Sequence, residues 1–161
     1  MKKRYRSVPI LLALLFVPVS YGHSLGIGFI VGEPTGLSIK KWLDDKHALD
    51  VAVGWDTSGN SSVHLQGDYL YHQHELLQGL ARDLDLSGQL STYVGVGARI
   101  KLKEKSNGND DTLVGVRVPL GLSYRFRDAP VDLFLEGVPT MDLAPDTDFS
   151  LNAAAGARYY F

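Results

Sequence analysis

From Leu25 to Phe161 the chain alternates apolar side chains with small or polar ones, and turn residues cut this alternation into about eight segments. A period of two is the signature of a strand whose faces meet different surroundings. The predicted strands are Leu25 to Val31, Leu37 to Trp42, Ala48 to Asp56, Ser62 to His72, Leu90 to Lys103, Thr112 to Phe126, Val131 to Leu143 and Phe149 to Phe161. Gly32-Glu33-Pro34-Thr35-Gly36, Asp44-Asp45-Lys46-His47, Ser58-Gly59-Asn60, Ser106 to Asp111 and Arg127-Asp128-Ala129-Pro130 reverse the chain between them. Pro119 and Pro139 fall inside predicted strands, where neither can donate to a ladder, so a bulge or break in pairing is expected at each.

One face of these strands is almost wholly apolar. Val114, Val116, Val118, Leu120, Leu122, Tyr124 and Phe126 oppose Gly115, Arg117, Gly121, Ser123 and Arg125; Val131, Leu133 and Leu135 oppose Asp132, Phe134 and Glu136. Alternation alone does not say which face is the interior, and a soluble lipocalin-like barrel would turn the apolar face inward. The polar face decides: it mixes Arg, Lys, Asp and Glu with Gly26, Gly28, Gly54, Gly95, Gly97, Gly115, Gly121 and Gly156. Long charged side chains in a narrow lumen need empty space beside them, which a solvated surface does not require. Aromatic residues also gather near strand ends on the apolar face, with Tyr71, Tyr124, Phe126, Tyr159 and Phe161 at one rim and Phe29, Trp55 and Phe149 at the other. Such girdles mark membrane interfaces.

Lys2, Lys3, Arg4 and Arg6, an apolar run from Val8 to Val19 and then Ser20-Tyr21-Gly22 have the order of an export signal. The run is shorter than the roughly 20 apolar residues a spanning helix needs. Residues 1–22 are therefore assigned to a cleaved signal peptide and residues 23–161 to one barrel domain. With no cysteine and a formal net charge of -2, a disulfide scaffold and a nucleic-acid binder are disfavoured. A closed barrel, which leaves no unpaired strand edge, supplies the stability that disulfides would otherwise give.

Over Leu25 to Phe161 the chain resembles the small eight-stranded bacterial outer-membrane proteins of the OmpA and OmpX type. The resemblance is architectural and names no characterised subfamily. Ala157-Arg158-Tyr159-Tyr160-Phe161 is similar to the C-terminal signal read by the outer-membrane barrel-assembly machinery, with Phe161 as terminal aromatic and Tyr159 as its same-face partner. The fold class this implies is all-β: an antiparallel up-and-down transmembrane barrel of about eight strands, monomeric, surrounded by outer-membrane lipid, with both termini in the periplasm.

An interior of about eight strands is filled by side chains rather than water. The filling is expected to be an ionic cluster of Arg99, Arg117, Glu136 and Arg158, with Asp68 as a further member. If the Arg127 to Pro130 turn closes a hairpin with Phe126 opposite Val131, Arg125 faces Asp132 as a cross-strand pair and Gly121 faces Glu136. Pairing Leu143 with Phe149 sets Gly156 beside Glu136 and Arg158 on its diagonal. A similar pairing of the fifth and sixth strands sets Arg99 opposite Arg117, a like-charge contact that Glu136 or Asp68 must relieve.

His64, Asp68 and His72 share a face but stand about 13 Å apart per step, too far for one metal to bridge. No cofactor is expected. Ser62 and Ser123 lack a histidine that the pattern places beside them, so the reading is not an enzyme. The outward loops, Gly32 to Gly36, Thr57 to Ser61, Glu104 to Asp111 and Ala144 to Asp148, are short, which weakens adhesin and receptor roles. The longest connection, Glu75 to Gln89, carries Leu77, Leu80, Ala81 and Leu84 at helical spacing, suiting either a short amphipathic turn at the inner leaflet or an irregular loop. The sequence thus points to an outer-membrane barrel of structural or uncharacterised role. A lipid A-modifying enzyme is the alternative, and a narrow pore the third.

Overall fold

Residues 24–56, 62–103 and 111–161 are described by a computed structural model, and the expected signal peptide and most of the Thr57 to Ser61 and Glu104 to Asp111 loops lie outside them. The strands are β1 (Leu25–Gly32), β2 (Gly36–Trp42), β3 (His47–Asp56), β4 (Ser62–Gln73), β5 (Gln89–Lys103), β6 (Asp111–Arg117), β7 (Leu120–Arg125), β8 (Val131–Ala144) and β9 (Asp148–Tyr160), with one short helix, α1 (Gln78–Asp83), between β4 and β5. Every pairing is antiparallel, and β9 returns to pair with β1 along Gly26↔Tyr160 to Gly32↔Ala154, which closes the ring. β6 and β7 both lie between β5 and β8, so the nine elements make a ring of eight strands.

The predicted sixth strand, Thr112 to Phe126, is the one divided. Proline accounts for the division, because it has no N–H to give. Val118 donates its N–H to Pro139 O at 3.0 Å, but Pro139 cannot return the bond; Pro119 O accepts from Gly95 N at 2.8 Å, but Pro119 cannot donate back. Two half-bonded pairs therefore adjoin. The register survives the gap, since Arg117 pairs with Gly97 below it and Leu120 with Val94 above it. At Pro139 the expected break falls in the ladder to β6 and β7, between Arg117↔Thr140 and Leu120↔Gly137, while β8 itself runs unbroken from Val131 to Ala144 because Pro139 stays paired with Leu151 of β9. A separate register irregularity between β6 and β8 falls at Val114/Gly115.

The Gly32 turn is closed locally. Thr35 Oγ1 accepts from Gly32 N at 3.2 Å and donates to Gly32 O at 3.1 Å, and Gly32 takes φ 133°, a conformation that side-chain-bearing residues rarely adopt. This turn brings Pro34 inward, where it is buried beside Gly54.

Burial follows the alternation in reverse of a water-soluble protein. Phe29, Val96, Leu135, Phe149 and Leu151 are exposed, Leu151 at 72%, whereas Lys40 and Asp132 are 0% exposed and Arg117 and Arg158 only 2%. Taking charges out of water while leaving leucine outside costs free energy in an aqueous setting and is favourable in a hydrocarbon one. The two expected aromatic rims are present at opposite ends. Tyr124 packs edge-on against Phe126 at 4.8 Å and Tyr159 against Phe161 at 5.1 Å at the end where the described chain begins and finishes; Phe29, Trp55 and Phe149 stand exposed at the far end. No helix among the described residues is long and apolar enough to cross a membrane.

Candidate functional site

The inner face of the ring carries a chain of buried ion pairs, and the strand register explains how they form. Asp68 on β4, Gly97 on β5 and Arg117 on β6 stand side by side, because Asp68 pairs with Gly97 and Gly97 with Arg117. Gly97 has no side chain to intervene, so Arg117 Nε reaches Asp68 Oδ1 at 3.1 Å across a strand to which neither belongs. A Cβ on Gly97 would sit 2.8 Å from Asp68 Cα and overlap its carboxylate.

The same arrangement recurs around the barrel. Gly115 lies between Arg99 and Asp142, which meet through Nε at 2.9 Å and Nη2 at 2.8 Å. Gly121 lies between Tyr93 and Glu136, and Tyr93 donates its hydroxyl to Glu136 Oε2 at 2.9 Å. Gly28 lies between Arg158 and Ser38, and Arg158 Nε donates to Ser38 Oγ at 2.9 Å. Each of these four glycines is a gap through which a side chain on one neighbour touches a side chain on the other. That is the empty space the sequence pattern calls for, placed strand by strand.

Of the expected cluster, Arg117, Asp68 and Glu136 come together: Arg117 Nη2 donates to Glu136 Oε1 at 3.1 Å, and Nη1 donates to Gln66 Oε1. Arg99 and Arg158 do not join them. Arg99 pairs with Gly115 rather than opposite Arg117, and its carboxylate is Asp142, with Ser150 Oγ a further acceptor at 3.3 Å. Glu136 stands opposite Ala154 rather than Gly156, and Arg158, opposite Asp132, donates to Asp50 and lies 3.7 Å over the Phe134 ring. Both corrections are slips of two residues, which leave every side chain on its predicted face.

Arg125 and Asp132 are register partners, as the tight hairpin requires, yet no ion pair joins them. Asp132 accepts from Tyr160 OH at 3.0 Å and Ser123 Oγ at 3.3 Å and lies 3.8 Å from Lys40 Nζ. Arg125 instead lies over Trp42 at 4.6 Å and Tyr160 at 5.0 Å. Tyr159 and Phe161, the residues similar to an assembly signal, are exposed on the outer face.

Several contributors escape the sequence reading, namely Lys40, Asp50, Gln66, Tyr93 and Asp142. Lys40 is the clearest case: its Nζ is 2.9 Å from His72 Nε2, beneath the rings of Trp42 at 4.6 Å and Tyr93 at 5.6 Å. The alternation Leu37, Ile39, Lys41 on the outer face already places Ser38 and Lys40 inward, so parity was the available signal.

Ser62 also corrects an expectation. Its Oγ lies 3.4 Å from His64 Nε2, both residues being buried on the inner face where positions i and i+2 project together. This pair points into the lumen rather than to the outer apolar face. Among the described residues no group of three or more His, Cys, Asp and Glu is placed to hold a metal ion, and His64, Asp68 and His72 face the lumen at separate heights.

No family model matches the chain, and no curated protein matches its sequence. Among solved structures the barrel is similar to the N-terminal β-barrel domain of Pseudomonas aeruginosa OprF, with a TM-score of 0.58 and 17% identity over 85% of this chain and 94% of that one. It also matches Neisserial surface protein A (NspA), with a TM-score of 0.47 and 14% identity over 85% of this chain and 92% of that one. The chain has the fold of a small eight-stranded outer-membrane β-barrel.

Proposed function

We propose that this protein is an exported barrel of the bacterial outer membrane, with both termini in the periplasm, acting as a structural element whose lumen is held shut by its internal ion pairs. The observation that carries the reading is the inverted burial, with Lys40, Arg117, Asp132 and Arg158 enclosed and Leu, Val, Ile and Phe exposed outside. Water would penalise that exposure, while about 25–30 cal/mol per Å² of apolar surface favours it in lipid. Buried arginines and carboxylates neutralise one another on the inner face, which supports a lumen that is filled rather than open. Tyr159 and Phe161 would serve the assembly machinery during insertion, and barrel closure without a second subunit supports a monomer.

The test is fractionation of the untagged protein with outer membranes, combined with a shift in gel mobility on heating. Protein that stays in the soluble periplasmic fraction, or migrates identically before and after boiling, would refute the placement. In planar bilayers no steady single-channel current is expected, and such a current would overturn the closed lumen.

One observation favours a second reading. The buried Ser62–His64 contact is the element a hydroxyl nucleophile needs, so a lipid-modifying activity is testable. Its orientation toward the lumen argues against access to an acyl chain. A change in lipid A mass on overexpression, abolished by Ser62→Ala, would establish the enzyme over the structural role.

A further inference from the structure

We propose that the cleft between the β4–β5 connection and the β7–β8 turn binds the phosphate-bearing headgroup of a glycerophospholipid, an inference that rests on the membrane placement above. The cleft, of about 620 Å³, is bordered by Arg82 at the end of α1, by Arg125 at the end of β7 and by Arg127 in the following turn, with Asp85 the one carboxylate among its walls. Cations therefore outnumber anions there. A phosphate at the meeting point of several guanidinium groups accepts charge-assisted hydrogen bonds from planar donors whose geometry suits it.

A second observation is independent of that charge count. Beside this cleft polar atoms are left without a hydrogen-bond partner, as a few also are deeper in the lumen. Arg125 Nη2 and His74 Nδ1, on two residues that line the cleft, are enclosed and have no hydrogen-bond partner among the described residues. Arg125 is held over the faces of Trp42 and Tyr160, which fixes the plane of its guanidinium and leaves its edge N–H groups to seek an acceptor. His74 donates Nε2–H to the carbonyl of Asp45 at 2.7 Å, which leaves Nδ1 as an acceptor for a hydroxyl. Arginine donors and a histidine thus border one cleft.

The third observation chooses the lipid as the source of the phosphate. Leu86 and Phe126 line the cleft with the arginines, and Leu76, Leu80 and Leu84 of the same connection are exposed beside it. Phe126 belongs to the aromatic rim with Tyr124, Tyr159 and Phe161. A cationic cleft opening onto an apolar ledge at the girdle matches the boundary between headgroup and acyl chain. A purely aqueous anion would gain nothing from the leucines.

The experiment titrates dioleoyl phosphatidylglycerol into the mature barrel folded in a nonionic detergent, following the backbone amide resonances of Gly88 and Arg127. Saturable shifts are expected, with binding about tenfold weaker in Arg82→Gln/Arg127→Gln, whose replaced side chains are on the surface. Inorganic phosphate is expected to bind far more weakly, and dioleoylglycerol, which has no phosphate, not to saturate the site. Four results would overturn the proposal: no shift with the phospholipid, equal affinity in the double variant, equal saturation by dioleoylglycerol, or saturation by inorganic phosphate at the same concentration. Heat-modifiable mobility of the same sample reports the membrane-barrel reading separately. A barrel that inserts into vesicles but ignores the phospholipid leaves that reading standing and removes this one.

Discussion

Arg117 and Asp68 meet at 3.1 Å across the backbone of Gly97, two strands bridged over a third that contributes only its lack of a side chain. Arg117 also holds Glu136 at 3.1 Å and is 2% exposed. It is therefore the shared cation of two carboxylates. Its removal leaves both charges unpaired, whereas Glu136→Gln keeps Arg117 paired with Asp68 and retains an acceptor. Arg117→Met is accordingly expected to destabilise the barrel by about 3–5 kcal/mol and Glu136→Gln by less than that. Urea unfolding from lipid vesicles, followed by tryptophan fluorescence, measures both. Equal losses, or no loss for Arg117→Met, would contradict the shared-cation arrangement.

The glycine gap itself makes a prediction with opposite signs at two sites. Gly97→Ala places a methyl group against Asp68 and should cost roughly 1–3 kcal/mol. At Gly137, in β8, a Cβ meets nothing within 4 Å, so Gly137→Ala should be neutral or stabilising by up to about 1 kcal/mol. Midpoints of unfolding for the two variants, compared in the same lipid, decide it. If both behave alike, the gaps have no energetic role.

Arg158 and Asp50 should couple while Arg158 and Asp142 should not. Arg158 donates to Asp50, and Asp142 is engaged by Arg99 instead. A double-mutant cycle of Arg158→Lys with Asp50→Asn is expected to give an interaction energy of about 1–3 kcal/mol, and the cycle with Asp142→Asn additivity to within about 0.5 kcal/mol. The reverse ranking would mean that the ion pairs are differently matched.

Asp44 gives the β2–β3 turn an acid-sensitive lock. Its carboxyl is held below the ordinary carboxylate range by the backbone N–H of Lys46, then by the side chain of His47, whose Nδ1 lies 2.8 Å from Oδ2. A depressed value means that the turn's stabilisation is complete above the pH where a free aspartate ionises and is lost as the pH falls through the lower, folded-state value. Amide exchange at Lys46 and His47 should therefore speed up in acid, and Asp44→Asn should remove that dependence. Exchange that ignores pH after correction for its intrinsic rate would exclude the lock.

How much of this was legible in the sequence depended on whether parity or register was at stake. Alternation fixes which face a residue occupies, so Arg117, Glu136, Asp132 and Phe134 were placed inward correctly. It is blind to a slide of two residues, which preserves every face while changing every neighbour. Across the tight Arg127 to Pro130 turn the loop length removed that freedom, and Gly121 opposite Glu136 and Arg125 opposite Asp132 were found. Across the other turns it did not, and Arg99 and Arg158 were given the wrong partners. Contacts that skip a strand, such as Lys40 with His72, depend on how the ring closes and leave no mark in local spacing.

The seam between the first and last strands is crossed by Arg158, on β9, to reach Asp50 on β3. Among the described residues the hairpin of β4 and β5 is not electrically complete on its own: it holds Asp68 and Arg99 without either mate. An open, half-zipped sheet would present those orphaned ions to the acyl chains, so the cheapest route into the bilayer is one in which zipping and insertion finish in a single step.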